Sequence, residues 1–297
     1  MPADAPTLAP SGLTTAAPAA PAEKARDEKP RWGWRYGQTY TAPILITLIL
    51  LAGHLSFGIL ESPEKTLLAI GAALLAEFGL SYLLRGRRSR LSSAYISGIS
   101  VGILVRSLAY WPYALCSVLS IASKYVLRVK DRHIWNPSNF GICVLLFTAP
   151  YTVAPLSVQW GNNVWPMLVI WIIGSISLWR LKRFHICAMY VASFLGFAYL
   201  RTLIAGDPFL AEVAPLTGPM YQLFVFFMIT DPKTTVKSRW GQYLVVFLVA
   251  FVEFLLRLGE SVYAPFYALF LVGPVAMLAE IWWEAQKAKR QAAPAVA

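Results

Sequence analysis

The chain has 297 residues, of which 57% are hydrophobic and 14% are charged. Soluble domains carry roughly 25% charged residues, so this composition excludes an ordinary soluble globular protein and indicates a chain embedded largely in lipid. The formal net charge of +11 would suggest nucleic-acid binding in a soluble protein. In a membrane protein, basic residues collect in the cytoplasmic loops instead, so their positions along the chain distinguish a membrane topology from nucleic-acid binding.

Residues 1–40 are rich in Ala, Pro and Thr and then in mixed charge. This stretch has too little apolar surface to form a core, and we expect a disordered cytoplasmic tail. It does not resemble a secretory signal peptide, because the first apolar run begins only after residue 40 and is too long for a signal-peptide core. That run is expected to remain as a membrane anchor.

Apolar runs of roughly twenty residues, enough to cross a hydrocarbon core of about 30 Å, recur along the rest of the chain. They predict an all-α integral membrane protein with a transmembrane domain over residues 41–285 and a cytoplasmic tail over 286–297. We predict about ten transmembrane helices, near residues 42–60, 66–84, 94–110, 113–129, 139–157, 164–179, 184–203, 217–230, 240–257 and 264–283.

The basic residues support this count, because they fall in alternate loops. With the N-terminus in the cytoplasm, nearly all of them lie on the cytoplasmic side, as the positive-inside rule requires. We therefore expect a multi-pass protein of the cell (inner) membrane with both termini cytoplasmic and no nucleic-acid partner. Ten spans can divide into two inverted five-helix repeats, although no residue-level repeat is visible. The cytoplasmic loops and tail contain Arg85, Arg87, Arg88, Arg90, Lys130, Arg132, Arg180, Lys182, Arg183, Lys233, Lys237, Arg239, Lys287, Lys289 and Arg290.

The first irregular segment at the end of a span is His133-Ile134-Trp135-Asn136-Pro137-Ser138-Asn139-Phe140-Gly141. Asn-Pro favours a turn, and Ser138 or Asn139 is suited to cap the helix that follows. The free N–H groups at a helix start suit an anionic or oxygen-rich ligand, and Trp135 offers a stacking surface. The alternative is a capped cytoplasmic turn with interfacial aromatic residues.

The second irregular segment is Phe227-Met228-Ile229-Thr230-Asp231-Pro232-Lys233. The span before it is short, about 21 Å at 1.5 Å per residue, and opens on Thr217-Gly218-Pro219 like a broken helix. Both segments lie at cytoplasmic helix ends in the predicted topology, so they can face one pocket. Two ordinary loops are the alternative.

Among the charged residues inside predicted spans, we single out Glu77, Lys124 and Glu253. Glu77 and Glu253 are candidates for a proton or ion pathway, or else neutral, hydrogen-bonded packing residues. Lys124, about one turn before the cytoplasmic end of its span, either reaches the interface or turns inward towards Asn136. The cysteines Cys116, Cys143 and Cys187 lie far apart without metal-ligand spacing, so no metal site is predicted.

The two irregular segments with their flanks resemble the RnfD/NqrB family, membrane subunits of ion-translocating electron-transport complexes. The first match is Lys124-Tyr125-Val126-Leu127 followed by Asn136-Pro137-Ser138-Asn139-Phe140-Gly141. The second is Phe226-Phe227-Met228-Ile229-Thr230-Asp231-Pro232 with Gly241-Gln242, and Arg257 and Gly259 fall where the family has an arginine followed by glycines. The likeness covers roughly residues 65–285, and the Thr-Asp-Pro stretch is its most specific part.

The resemblance implies a flavin, either FMN attached to a threonine or riboflavin, and electron transfer coupled to Na⁺ or H⁺ movement. It also implies further electron-transport subunits as partners, besides membrane lipid. The family's Gly-Ala-Thr-type attachment motif is absent, since the chain reads Tyr151-Thr152-Val153-Ala154-Pro155-Leu156-Ser157 at that point. This departure favours a non-covalent flavin, or loss of flavin, in a divergent or stand-alone member.

A flavin needs flat apolar faces for its ring and hydrogen-bond donors for its oxygens. The predicted cofactor-binding residues are Lys124, Trp135, Asn136, Asn139, Thr230, Asp231 and Lys233. Of these, Lys124 or Lys233 would stabilise an anionic reduced ring or a phosphate, and Asp231 is expected to fix Lys233 or to cap the backbone. The competing functions are a transporter or channel without redox chemistry and a non-catalytic scaffold subunit.

Overall fold

The computed structural model describes residues 43–44, 46–48, 50–51, 54–55, 62–86, 91–129, 132–155 and 164–292. The predicted tail over residues 1–40 and most of the first predicted span lie outside these residues. The described part of the chain is all-α apart from two very short strand pairs. Among these residues, four helices are long and apolar enough to cross a membrane, at Pro63–Leu84, Phe184–Ala205, Arg239–Leu258 and Ala264–Gln291.

The described residues contain helices along their whole length and no separate domain of another fold class. We number them α1 (Pro63–Arg85), α2 (Leu91–Leu104), β1 (Val105–Arg106), α3 (Trp111–Val126), β2 (Arg128–Val129), β3 (Arg132–His133), α4 (Pro137–Thr148), β4 (Ala154–Pro155), α5 (Val164–Leu181), α6 (Phe184–Ala205), α7 (Phe209–Val213), α8 (Pro219–Leu223), α9 (Arg239–Leu258) and α10 (Ala264–Ala292). A 3₁₀ turn, Ala214–Thr217, precedes α8, and a π-helical turn, Phe224–Met228, follows it.

Two predicted spans are shorter than the sequence indicated. Helix α2 ends at Leu104 rather than at residue 110, and α4 ends at Thr148 rather than at residue 157. Strand β1 follows α2 directly, and β4 follows α4 after a turn over residues 149–153. The two strands pair in antiparallel fashion, with Val105 opposite Pro155. Apolar residues continue past both helix ends, so hydropathy could not locate them. The strand pairing supplies the backbone hydrogen bonds that a non-helical segment needs among apolar surroundings.

Helix α2 lies unusually close to α1 because Gly98 and Gly102, four residues apart, both face it. A Cβ atom at Gly98 would lie 2.6 Å from the Cα of Ile70, and one at Gly102 would lie 2.7 Å from Cγ2 of Thr66. Small residues at this spacing let two membrane helices approach backbone to backbone. The pair thus positions the polar face of α2, which carries Ser93 and Ser97, beside the core.

The predicted broken span near residues 217–230 contains only a short α-helix between two irregular turns. Pro219 starts α8 after the 3₁₀ turn, and the helix then widens into the π turn, where the N–H of Ile229 bonds to the carbonyl of Phe224. The apolar helical stretch, Pro219–Met228, has ten residues and spans about 15 Å at 1.5 Å per residue. The sequence prediction of a short, interrupted helix is confirmed.

Helices α6 and α9 run parallel and form much of the main core, with α10 packed against α9 and against α4. At one end of the pair, Nε2 of His185 lies 2.7 Å from Oε1 of Gln242. Large apolar side chains remain on the outside of the helices, including Leu75 and Leu83, which are 74% and 76% exposed. This outward apolar surface fits a membrane protein whose surroundings are lipid.

Helix α10 continues to Ala292, beyond the predicted start of the C-terminal tail at residue 286. Its last turns contain Ala, Gln, Lys and Arg, which are strong helix formers, so the helix persists after the apolar run has ended.

Candidate functional site

The two irregular segments predicted from the sequence meet in the structure. Asn136 takes an extended backbone conformation and caps α4, its Oδ1 accepting a hydrogen bond from the N–H of Asn139 at 3.2 Å. Pro137 occupies the first turn of α4. Backbone N–H groups there have no partner within the helix, so a proline, which lacks the N–H, loses no hydrogen bond. The other side of the Asn136 amide, Nδ2, donates to Oδ2 of Asp231 at 3.3 Å. We call this contact and its surroundings the Asn136–Asp231 junction.

Asp231 organises the turn that follows the π-helical turn. Its Oδ1 accepts a hydrogen bond from the N–H of Lys233 at 3.0 Å, and its carbonyl accepts one from Oγ1 of Thr235 at 2.6 Å. The predicted role of Asp231 in capping the backbone is therefore found in the geometry. Burial raises the pKa of the Asp231 carboxyl, against the opposing effect of the Lys233 N–H bond and the Lys233 charge.

Lys124 turns inward from the last turn of α3 instead of reaching the interface. Its Nζ donates to Oγ of Ser97 at 2.7 Å, and the carbonyl and Oγ of Ser93 lie 3.3 Å away. The residue is only 8% exposed. Its charge interacts electrostatically with those of Asp231 and Lys233, so the junction has a buried positive charge nearby.

An aromatic cluster borders the junction on the side of α10. Trp135 donates its indole N–H to the carbonyl of Phe270 at 3.0 Å. Its ring centroid lies 5.7 Å from that of Phe140 and 5.6 Å from that of Phe270. Trp135 and Phe140 are half-buried, so parts of both rings remain accessible next to Asn136. The expected flat apolar surfaces are present at this point.

Two predicted ligands already have partners within the protein. Asn139 is 1% exposed, and its Nδ2 donates to the carbonyl of Phe266 at 3.1 Å, which ties α4 to α10. Thr230 is 2% exposed, and its hydroxyl donates to the carbonyl of Phe226 at 2.7 Å. Both side chains thus hold the irregular segments in place. A direct bond from either to a cofactor stays a prediction. Lys233, by contrast, is exposed.

Three residues of the junction were not singled out by the sequence. Arg183, just before α6, donates from Nη1 to the carbonyl of Thr230 at 3.4 Å, and it entered the sequence analysis only as a loop charge. Ser93 and Ser97, the partners of Lys124, lie four residues apart on one face of α2. That spacing of hydroxyls along an apolar helix was a detectable signal of a polar stripe.

The two carboxylates predicted as a proton or ion pathway differ in their surroundings. Glu77 in α1 accepts a hydrogen bond from the hydroxyl of Tyr125 at 2.7 Å and lies within Coulombic range of Lys124. Glu253 in α9 lies far from the junction. It accepts hydrogen bonds from the hydroxyls of Tyr190 and Tyr221, the latter at 2.7 Å, and its Oε1 is 3.8 Å from Nη1 of Arg257. Glu77 is therefore part of the junction's electrostatic environment, and Glu253 belongs to a separate cluster.

The junction is a polar place where two broken backbone segments, a buried lysine and an aromatic cluster come together. Within the described residues, no group of three His, Cys, Asp or Glu side chains is arranged to hold a metal ion. The three cysteines are buried. No family model and no curated protein matches the chain.

Proposed function

We propose that the chain is an electron-transport subunit of the RnfD/NqrB type that holds a non-covalent flavin, FMN or riboflavin, at the Asn136–Asp231 junction. The observation that supports this most directly is the hydrogen bond between Asn136 and Asp231. It joins the two segments that carry the family resemblance, although they are far apart in the chain.

The chemistry around the junction suits a flavin. Trp135 and Phe140 provide apolar ring faces, and Phe270 supports them from behind. Lys124 and Lys233 provide positive charge, which stabilises a reduced anionic ring or a phosphate. The segment Tyr151-Thr152-Val153 lacks the attachment motif of the family, so the proposal is a flavin held by contacts alone.

The proposal includes ten transmembrane helices, both termini in the cytoplasm and a place in the cell (inner) membrane. Packing supports two five-helix repeats: α1 packs on α3 and α3 on α4, while α6 packs on α9 and α9 on α10. The third member of each set, α2 in one and the α8–π stretch in the other, is short. Inverted repeats commonly place a binding site where such shortened helices end.

Coupling to ion movement is the further part of this proposal, and Glu77 is its first candidate because it is buried beside Lys124. Glu253 is less suited, since two tyrosines and Arg257 already hold its carboxylate. Membrane lipid and other electron-transport subunits are the proposed partners.

The test is to purify the full chain in detergent, expressed alone and with candidate partner subunits, and to record its visible absorbance. Precipitation in acid then separates free from attached flavin. We expect a yellow protein whose flavin moves into the supernatant, and a reduced flavin content in Asp231→Asn. Flavin in the pellet would indicate covalent attachment, with Thr152 the first residue to test.

A folded but colourless protein would overturn the flavin proposal. Ligand- or ion-dependent flux through such a protein in vesicles would then establish the transporter function. A scaffold function would be indicated if Asn136→Ser and Asp231→Asn reduced assembly with partner subunits but left the activity of the assembled complex unchanged.

A further inference from the structure

A shallow cleft opens between α6 and α9, at the ends of these helices opposite to the Asn136–Asp231 junction. It is small, with a cavity volume of about 10 Å³, room for about one water molecule, and it is open at its mouth. Phe194, Phe197 and Phe254 form apolar walls, and Arg201, Glu253 and Arg257 are the charged residues that line it. None of these residues belongs to the proposed flavin site.

The two arginines lie near the C-terminal ends of parallel helices. Arg201 lies four residues before the end of α6, and Arg257 lies in the last turn of α9. The C-terminal end of a helix carries partial negative charge, which stabilises a cation there. The guanidinium of Arg257 also lies over the ring of Phe194, 5.2 Å from its centroid, so its position is set by packing as well as by charge.

Each of the two arginines is paired with a glutamate that is more deeply buried, so the arginines face the mouth of the cleft. Arg201 pairs with Glu212 and Arg257 with Glu253, yet the side chains of both arginines are 14% exposed, against 3% and 1% for the glutamates. Each oxygen of Glu253 already accepts a tyrosine hydroxyl. The accessible side of the cluster is therefore positive, although the four formal charges cancel.

Arg201 also has an unused donor. Nη1 of Arg201 is buried and has no hydrogen-bond partner among the described residues. Arg257 donates from Nη1 to the hydroxyl of Tyr221 at 3.3 Å. A guanidinium presents five N–H donors in a planar fork, a shape that matches the oxygens of a phosphate. A buried donor without an acceptor is unfavourable, and a turn of the Arg201 side chain towards the cleft mouth would bring this donor to an oxyanion there.

We propose that this cleft binds the phosphate of an anionic phospholipid, with the phosphate oxygens on Arg201 and Arg257 and the acyl chains along the apolar surface of α6 and α9. Phe247 and Phe251 on α9, whose rings contact that of Phe197 in the cleft wall, are 39% and 36% exposed and provide that apolar surface. Lipid rather than free phosphate is favoured because the arginines adjoin both an aromatic wall and these outward phenylalanines.

The experiment is native mass spectrometry of the full-length protein in detergent, titrated with phosphatidylglycerol or with phosphatidylcholine. We expect the anionic lipid to be retained more strongly, and Arg201→Gln to lower its affinity about tenfold, which corresponds to about 1.4 kcal/mol. Arg180→Gln removes the same charge from the exposed end of α5 and should retain the wild-type affinity.

Glu212→Gln tests the proposal in the opposite direction. It removes the carboxylate that competes for Arg201, so the affinity for phosphatidylglycerol should rise, and a normal unfolding temperature shows that the variant is folded. Equal retention of the two lipids, or an effect of Arg180→Gln as large as that of Arg201→Gln, would overturn the proposal. Inorganic phosphate alone serves as a further probe: stabilisation by phosphate without retention of phosphatidylglycerol would overturn the assignment to lipid.

Discussion

The side-chain amide of Asn136 joins two helix ends, because Oδ1 caps α4 while Nδ2 donates to Oδ2 of Asp231 at 3.3 Å. Asp231 in turn holds the backbone N–H of Lys233. The two side chains therefore connect the start of α4 to the turn before α9, residues that lie 95 positions apart in sequence. Each segment depends on the other for its position.

This link predicts energetic coupling between the two residues. Asn136→Ser retains a capping oxygen but is too short to reach Asp231, and Asp231→Asn retains an acceptor for the Lys233 N–H. In a double-mutant cycle on unfolding in mixed micelles, we expect a coupling of about 1 kcal/mol, the usual net value of such a hydrogen bond. Strictly additive effects would show that the contact is not formed.

The raised pKa of Asp231 predicts how stability depends on pH. The carboxyl ionises in the unfolded chain near its ordinary value, about pH 4, but in the folded protein only at higher pH. Between these values the unfolded state binds fewer protons, so stability from this group is full at low pH and falls as the pH rises through the raised pKa.

The unfolding temperature of the wild type should therefore fall as the pH rises from about 4 to about 7, and Asp231→Asn should make this fall smaller. Thermal unfolding followed by intrinsic fluorescence measures this slope. Asp207→Asn is the matched control, because Asp207 is an exposed carboxylate outside the junction. If both variants had the same slope as the wild type, burial of Asp231 would not be the cause of the pH dependence.

The close approach of α1 and α2 predicts that Gly98→Ala destabilises the protein by about 1–3 kcal/mol. The new methyl group would lie 2.6 Å from the backbone Cα of Ile70, so the helices must separate. Gly196→Ala in α6 is the control, since a Cβ there meets nothing within 4 Å. The measurement is the unfolding temperature of both variants. Equal values for the two would contradict the packing described for α2.

Lys124→Met separates a structural role of this lysine from a role in flavin binding. Methionine fills a similar volume, and Ser97 keeps its hydrogen bond to the carbonyl of Ser93, so we expect the fold to be retained, which a cooperative unfolding transition would show. Flavin retention should fall about tenfold if the charge supports the bound ring or phosphate. Lys289→Met, at an exposed position of α10, should retain flavin at the wild-type level. Unchanged retention in Lys124→Met would exclude the lysine from the site.

Much of the secondary structure was predictable from composition and hydropathy. Helices α6 and α9 agree with the predicted spans 184–203 and 240–257 to within two residues at each end. Proline and asparagine chemistry located the start of α4 and the interruption before Asp231. The ends of α2 and α4 were predicted wrongly, because they depend on the pairing of β1 with β4, a contact between distant parts of the chain.

The candidate site, too, was predictable only in part from the sequence. The sequence by itself determined that this is a membrane protein with polar interruptions at two helix ends, because hydropathy and turn chemistry are local properties of neighbouring residues. Only the tertiary structure decided that Asn136 meets Asp231, that Lys124 turns towards Ser93 and Ser97, and that Asn139 and Thr230 are used within the protein. The rotation of each helix about its axis depends on packing against neighbours distant in sequence, and local patterns contain no information about that choice.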